Sequence, residues 1–163
     1  MLTDQLTKEE ISYLDTWMNK VSRSFAVVVA ALEEPLKTQM ATAYLLCRVI
    51  DNIEDCTASI TWKKKRFVEI AQLLVEPEIA PDILSSWDAE PWPGLTQDER
   101  KLMSYKYGSS LLRIFFRFTD EVRTITRSWI IQMIDGMSHL QEPTYEPKFV
   151  QYNGVQVLAA EQD

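Results

Sequence analysis

Residues 36–55 run for twenty positions without a glycine or a proline. Leu45, Leu46, Val49, Ile50 and Ile53 recur there at helical spacing. A helix that is apolar over most of its circumference needs neighbours on more than one side, so this segment dictates a helical bundle. Its polar exceptions are Tyr44, Arg48, Asp51 and Asp55, spaced by four, three and four residues. At about 100° per residue these four fall within an arc of about 60°. One stripe thus carries a phenol, a guanidinium and two carboxylates. It reads as the wall of a charged cavity, with the rest of the chain as its support.

The flanking sequence fits an all-α domain. The 163 residues suffice for one compact unit, 46% are hydrophobic, and only four glycines interrupt them. Thr7-Lys-Glu-Glu10 has the form of a capping box and opens a first helix through Ile11, Leu14, Trp17, Met18 and Val21. Paired serines predict an interruption near Ser22. The apolar run Ala26–Leu32 ends at Glu33-Glu34-Pro35, and Pro35 suits the first position of the long helix that runs to Asp55. Residues 62–75 form the next expected helix. Its basic start, Lys63-Lys64-Lys65-Arg66, reads as a solvated face. A short helix over 81–87 and a loop over 88–95 come next, the loop pinned to the core by Trp87 and Trp92. A second capping box, Thr96-Gln-Asp-Glu99, opens a helix expected to reach about Phe118. Thr119 or Asp120 then starts a last helix to about Leu140. In it Gly136 marks either a close helix approach or a weak point, and His139 reads as a surface cap. Beyond Pro143, alternation around Asn153-Gly154 predicts a small β-hairpin. The expectation is about six helices and that hairpin.

The totals also set bounds on partners. A net charge of −7 argues against a nucleic-acid partner. Cys47 and Cys56 lack zinc-site spacing and do not suggest a disulfide framework, which points to a reducing compartment. No apolar run reaches the length of a membrane span, and the start Met-Leu-Thr-Asp-Gln does not read as a signal peptide. A cytoplasmic location is expected, with at most peripheral membrane contact.

Carboxylates four residues apart on a helix can share a divalent cation, and oxygen-only ligands favour hard ions. Asp51 and Asp55, with Glu54 beside them, therefore resemble half of a magnesium–diphosphate site. Arg48, one turn earlier, offers guanidinium geometry that suits the same phosphate. Arg23, between Ser22 and Ser24, offers a second fork, two hydroxyls and the N–H groups of an interrupted helix. A plainer reading stays open beside each. Arg48 with Asp51 and Asp55 is also what an ion-pair ladder on a solvated face looks like, and Ser22-Arg23-Ser24 what a helix cap with a surface arginine looks like.

Two blocks, Ser22-Arg-Ser-Phe-Ala26 and Tyr44-Leu-Leu-Cys-Arg48-Val-Ile-Asp51-Asn-Ile-Glu54-Asp55, resemble the first motifs of the squalene/phytoene synthase family. The Asp-x-Ile-Glu-Asp form is closer to squalene synthases, and Ile134-Asp-Gly136-Met137 resembles a later helix of the same family. The resemblance spans about Val21 to Met137, with the motifs in order. It implies an isoprenoid synthase fold and head-to-head condensation of two prenyl diphosphates, farnesyl diphosphate foremost, to presqualene diphosphate and squalene or to a phytoene-type product. It implies Mg2+ held at Asp51, Glu54 and Asp55. It places substrate diphosphate at Arg23 and Arg48, with Ser22 and Ser24 alongside, and gives Tyr44 a catalytic place near the reacting ends. NADPH enters only where a complete squalene synthase reduces the intermediate.

The sequence departs from that pattern in two respects. It contains neither a second aspartate-rich motif nor the Tyr-Cys-x-x-Val-Ala-Gly block that comes after the Gly-Met helix, and Tyr152 stands in the wrong context to replace that tyrosine. Residues 1–163 are therefore expected to be the N-terminal part of such a domain, truncated before the second metal motif and with little activity alone. The alternative is a non-enzymatic helical half that assembles with a separate C-terminal half or another partner.

Overall fold

The structure, a computed structural model, describes residues 6–141 and the backbone of 149–152 and 155–158. It is a layered helical bundle built around one central helix. In chain order the helices are α1 (Lys8–Val21), α2 (Arg23–Ala30), α3 (Leu36–Asp55), α4 (Ile60–Leu73), α5 (Ala80–Ala89), α6 (Gln97–Leu102), α7 (Tyr105–Phe116) and α8 (Asp120–Leu140). A 3-10 turn, Pro77–Ile79, leads into α5. Strands β1 (Phe149–Tyr152) and β2 (Val155–Leu158) pair antiparallel, Tyr152 opposite Val155, as the hairpin expectation requires.

α3 is the hub. It packs against α1, α2, α4, α7 and α8. Leu45, Leu46, Ile50 and Ile53 are fully buried and Val49 nearly so, each contributing about 1.5–3 kcal/mol by leaving water. Both capping boxes form. Thr7 Oγ1 accepts from the Glu10 N–H at 3.2 Å, and Glu10 Oε2 accepts from the Thr7 N–H at 2.9 Å. Thr96 and Glu99 repeat the exchange at the start of α6.

Several expectations need correction. There are eight α-helices among the described residues rather than about six. The helix expected over 97–118 is two, because Ser104 leaves the helical conformation and caps α7, its hydroxyl accepting from the Tyr107 N–H at 3.4 Å. Pro35 is the N-cap residue of α3 rather than its first residue. The basic run is not simply a solvated face. Arg66 is 1% exposed, ion-paired to Glu69 and Glu90, and lies 4.8 Å from the centre of the Trp62 ring. Gly136 makes no close approach, since a Cβ there would meet nothing within 4 Å. The close glycine is Gly108, whose Cβ position is 3.2 Å from Leu84 Cδ2, which lets α5 and α7 pack together.

The loop before α6 is held by aromatic packing and a tight turn. Trp62, Trp92 and Trp87 form an edge-to-face chain with ring centres 4.8 and 5.2 Å apart. Trp92 Nε1 donates to the Trp87 carbonyl at 3.0 Å, and Thr57 N–H to the Pro93 carbonyl at 2.8 Å. Gly94 has φ +90 and a Cβ there would stand 2.9 Å from Thr57 Cγ2, so both its conformation and its space call for glycine. The tryptophan pair and this turn fix where α6 begins.

Candidate functional site

The stripe of α3 is where the residues singled out from the sequence gather. Tyr44 is half-buried and stacks on Phe25 of α2, ring centres 4.5 Å apart and planes at 25°. That contact brings the start of α2 against the stripe. Ser22 separates α1 from α2 with extended backbone, and its hydroxyl accepts from the Phe25 N–H at 3.3 Å. The Ser22 side chain is therefore committed to capping. Arg23 and Ser24 lie exposed in the first turn of α2, where backbone N–H groups have no partner within the helix.

Arg48 is held rather than free. Its Nη2 donates to Glu99 Oε1 at 2.5 Å, its Nη1 stands 3.7 Å from Asp51 Oδ2, and its buried Nε has no hydrogen-bond partner. The ion-pair ladder anticipated along α3 is thus present only as the long Arg48–Asp51 pair. The short pair crosses to α6. Glu99 is fixed in turn: its Oε2 accepts from both the N–H and the hydroxyl of Thr96 at 2.8 Å. The Thr96 N–H, the Thr96 hydroxyl and Arg48 together hold the Glu99 carboxyl below the usual range, against its partial burial. Asn52, fully buried behind the stripe, donates to the Glu99 carbonyl at 3.4 Å and so ties α3 to α6 from the other side.

The acidic end differs. Burial pushes the Asp51 carboxyl up; Arg48 opposes this, while Asp55 and Glu54 add to it. Glu54 accepts from Gln141 Nε2 at 3.4 Å, and its backbone carbonyl accepts from Lys63 Nζ, closing the end of α3 against α4. Asp55 is exposed. Among the described residues no group of three or more His, Cys, Asp or Glu side chains is arranged to hold a metal ion by itself. The donor set nevertheless fits half of a magnesium site: Asp55 and Glu54 raise the proton affinity of Asp51, a concentration of negative charge that attracts a hard cation, and magnesium keeps waters and takes the rest of its shell from a ligand's phosphates.

Sequence reasoning missed three contributors. Glu99 was legible only as a cap, because its contact with Arg48 spans 51 residues of chain. Lys63 and Gln141 gave no local signal either. His139, in the last turn of α8, is exposed, in keeping with a surface position. Cys47 and Cys56 are free thiols. A cleft bordered by Glu10, Lys106, Arg113 and Arg117 lies between α1 and α7, away from the stripe. No helix among the described residues is long and apolar enough to cross a membrane.

Comparison with known proteins agrees with the motifs. The squalene/phytoene synthase family profile matches residues 18–152. Comparison with the curated proteins gives no match. A solved structure of TcSQS with the ligand E5700 superposes with a TM-score of 0.66 at 21% identity, over 81% of this chain and 35% of that one. TcSQS with the ligand BPH1237 gives 0.66 and 21%, over 83% and 37%. The chain thus spans about a third of the length of these solved chains, and at that identity the likeness speaks for the fold.

Proposed function

The chain belongs to the squalene/phytoene synthase family, and from that premise we propose that the α3 stripe is one wall of a prenyl-diphosphate site. The observation that carries this reading is the convergence of Tyr44, Arg48 and Asp51 on one face of α3, with the N-terminus of α2 brought against it by the Phe25–Tyr44 stack. Arg48 and Arg23 take the diphosphate of farnesyl diphosphate, or of a longer prenyl chain. Asp51 and Asp55, with Glu54 beside them, offer oxygen ligands for Mg2+. Bound magnesium neutralises the charge that develops on a leaving diphosphate. The phenol of Tyr44 lines the cavity beside the reacting carbons, and Phe25 keeps its ring in place. Ser22 acts by holding the α2 N-terminus, and Ser24 by its exposed hydroxyl.

The reaction is head-to-head condensation of two prenyl diphosphates. A single acidic wall cannot clamp a metal–diphosphate cluster from both sides, so the 163-residue chain alone has little condensation activity. NADPH takes part only in a complete squalene-forming reaction. Magnesium-dependent turnover of farnesyl diphosphate by the isolated chain would overturn that statement. The binding test is calorimetry of inorganic diphosphate with magnesium. Asp51→Ala and Asp55→Ala abolish the magnesium-dependent part if the stripe is the site; unchanged binding rules it out.

A second reading has its own observation. Val27 and Val28 on α2, and Ile125 and Trp129 on α8, are large apolar side chains left more than half exposed. Such faces suit docking of a complementing helical half. Under this reading the chain is a partner in an assembly, which co-purification with a separately expressed C-terminal half tests; a monodisperse, soluble monomer that takes no such partner counts against it. Contact with a membrane surface, in a cytoplasmic protein, is at most peripheral.

A further inference from the structure

Glu99 has no place in the family motifs, yet it makes the close ion pair with Arg48. Its Oε1 lies 2.5 Å from Arg48 Nη2. The carboxylate cannot swing aside, because Thr96 holds its Oε2 through two hydrogen bonds of 2.8 Å. The helix that carries it is itself tied down. Lys20 pairs with Asp98 at 2.9 Å, and Arg100 donates to the Trp87 and Asp88 carbonyls at 3.0 Å each. The Arg48 fork therefore meets a fixed anion, while its Nε keeps an N–H that is buried and unpartnered. An anionic oxygen arriving at Arg48 must compete with Glu99 for the fork. Around the stripe the cations Arg23, Arg48 and Lys63 stand against the four carboxylates Asp51, Glu54, Asp55 and Glu99.

We propose that Glu99 sets the strength with which this wall takes a diphosphate, by engaging Arg48 in an ion pair that the phosphate has to displace. This rests on the reading of Arg48 as a diphosphate ligand. Glu99 is a positioning residue: it acts on the ligand through Arg48. The anchored α6 makes it a fixed competitor, so a wall that is acidic overall favours diphosphate that arrives with magnesium over the bare anion.

The test is calorimetry of inorganic diphosphate, with magnesium and with a chelator, on the full chain and its variants. Glu99→Gln is expected to tighten binding of metal-free diphosphate roughly fivefold, the effect of removing one nearby charge on a partly exposed site, with a smaller gain when magnesium is present. Thr96→Ala, which removes one of the two hydrogen bonds that fix Glu99 Oε2 and keeps the Glu99 charge, gives a gain smaller than that of Glu99→Gln. Glu99→Asp, whose shorter carboxylate retreats from Arg48 while keeping a charge for the cap, gives an intermediate gain and serves if Glu99→Gln does not fold. In the Arg48→Ala background Glu99→Gln changes nothing, because the two act as one unit. Equal or weaker binding by both Glu99 variants, with Arg48→Ala still impaired, refutes the role of Glu99 and leaves the diphosphate reading standing. A fivefold gain that persists without Arg48 refutes it as well, since the charge then acts through space. Arg48→Ala that binds as tightly as the unaltered chain removes the diphosphate reading, and the role of Glu99 with it.

Discussion

Replacing Asp51 by asparagine separates what the stripe does for function from what it does for stability. Three electrostatic effects meet at this carboxylate. Arg48 Nη1 attracts it from 3.7 Å, worth about 1 kcal/mol in a water-like dielectric. Glu54 and Asp55, near one helical turn away at about 6 Å, each repel it by about 0.7 kcal/mol on the same basis. Attraction and repulsion nearly cancel, so partial burial decides the sign. Asp51 keeps 34% of its side chain exposed, and solvent screens what remains. Asp51→Asn is therefore expected to stabilise the fold at pH 7 by about 0.5 kcal/mol, or about 1–2 °C in Tm for a chain of this length.

The pH dependence has a definite direction. The Asp51 carboxyl binds its proton more readily folded than unfolded, through burial first, with Asp55 and Glu54 reinforcing it against Arg48. Its ionisation therefore costs stability. The cost is absent below the ordinary carboxylate value, about pH 4, and complete above the raised folded value. Urea unfolding of both proteins between pH 3.5 and 7 should show the advantage of Asp51→Asn growing with pH. In the same proteins, the thermal upshift produced by magnesium with inorganic diphosphate should appear only in the unaltered chain. The reasoning fails if Asp51→Asn loses more than about 1 kcal/mol at pH 7, for then the Arg48 pair dominates. A difference that stays flat with pH refutes it equally.

Two other substitutions probe the frame of the site. Arg66→Ala leaves Glu69 and Glu90 facing a buried gap beneath Trp62 and should cost about 3–5 kcal/mol in urea unfolding, a loss under 1 kcal/mol showing the network to be dispensable. Gly136→Ala should stabilise by about 0.5–1 kcal/mol, because α8 gains a better helix former at a position with no neighbour within 4 Å; a lower Tm would mean that the position is closely packed after all.

The helices and their starts were legible because their causes are local. Thr7 and Thr96 announce capping boxes within four residues, Ser22 breaks a helix that its own hydroxyl then restarts, and the apolar spacing of Leu45 to Ile53 dictates burial. The stripe itself was legible too, since a helix period alone puts Tyr44, Arg48, Asp51 and Asp55 on one face. Other features had local signals that were outweighed. Ser104 is a fair N-cap residue, yet the apolar run through Phe118 suggested one continuous helix. A run of four basic residues looks solvated until Glu90, 24 residues later, turns out to receive Arg66.

What only the tertiary structure decided is which partner each charge finds. On spacing alone Arg48 belonged to Asp51, three residues on, but that contact is 3.7 Å while Glu99 on α6 lies at 2.5 Å. The physical reason is geometric. Helical periodicity fixes the direction of a side chain on its own element, whereas the short contact depends on where the tryptophan-pinned loop and the Gly94 turn deliver the start of α6. The sequence determined the chemistry that the α3 stripe carries, and packing determined that its arginine is already engaged.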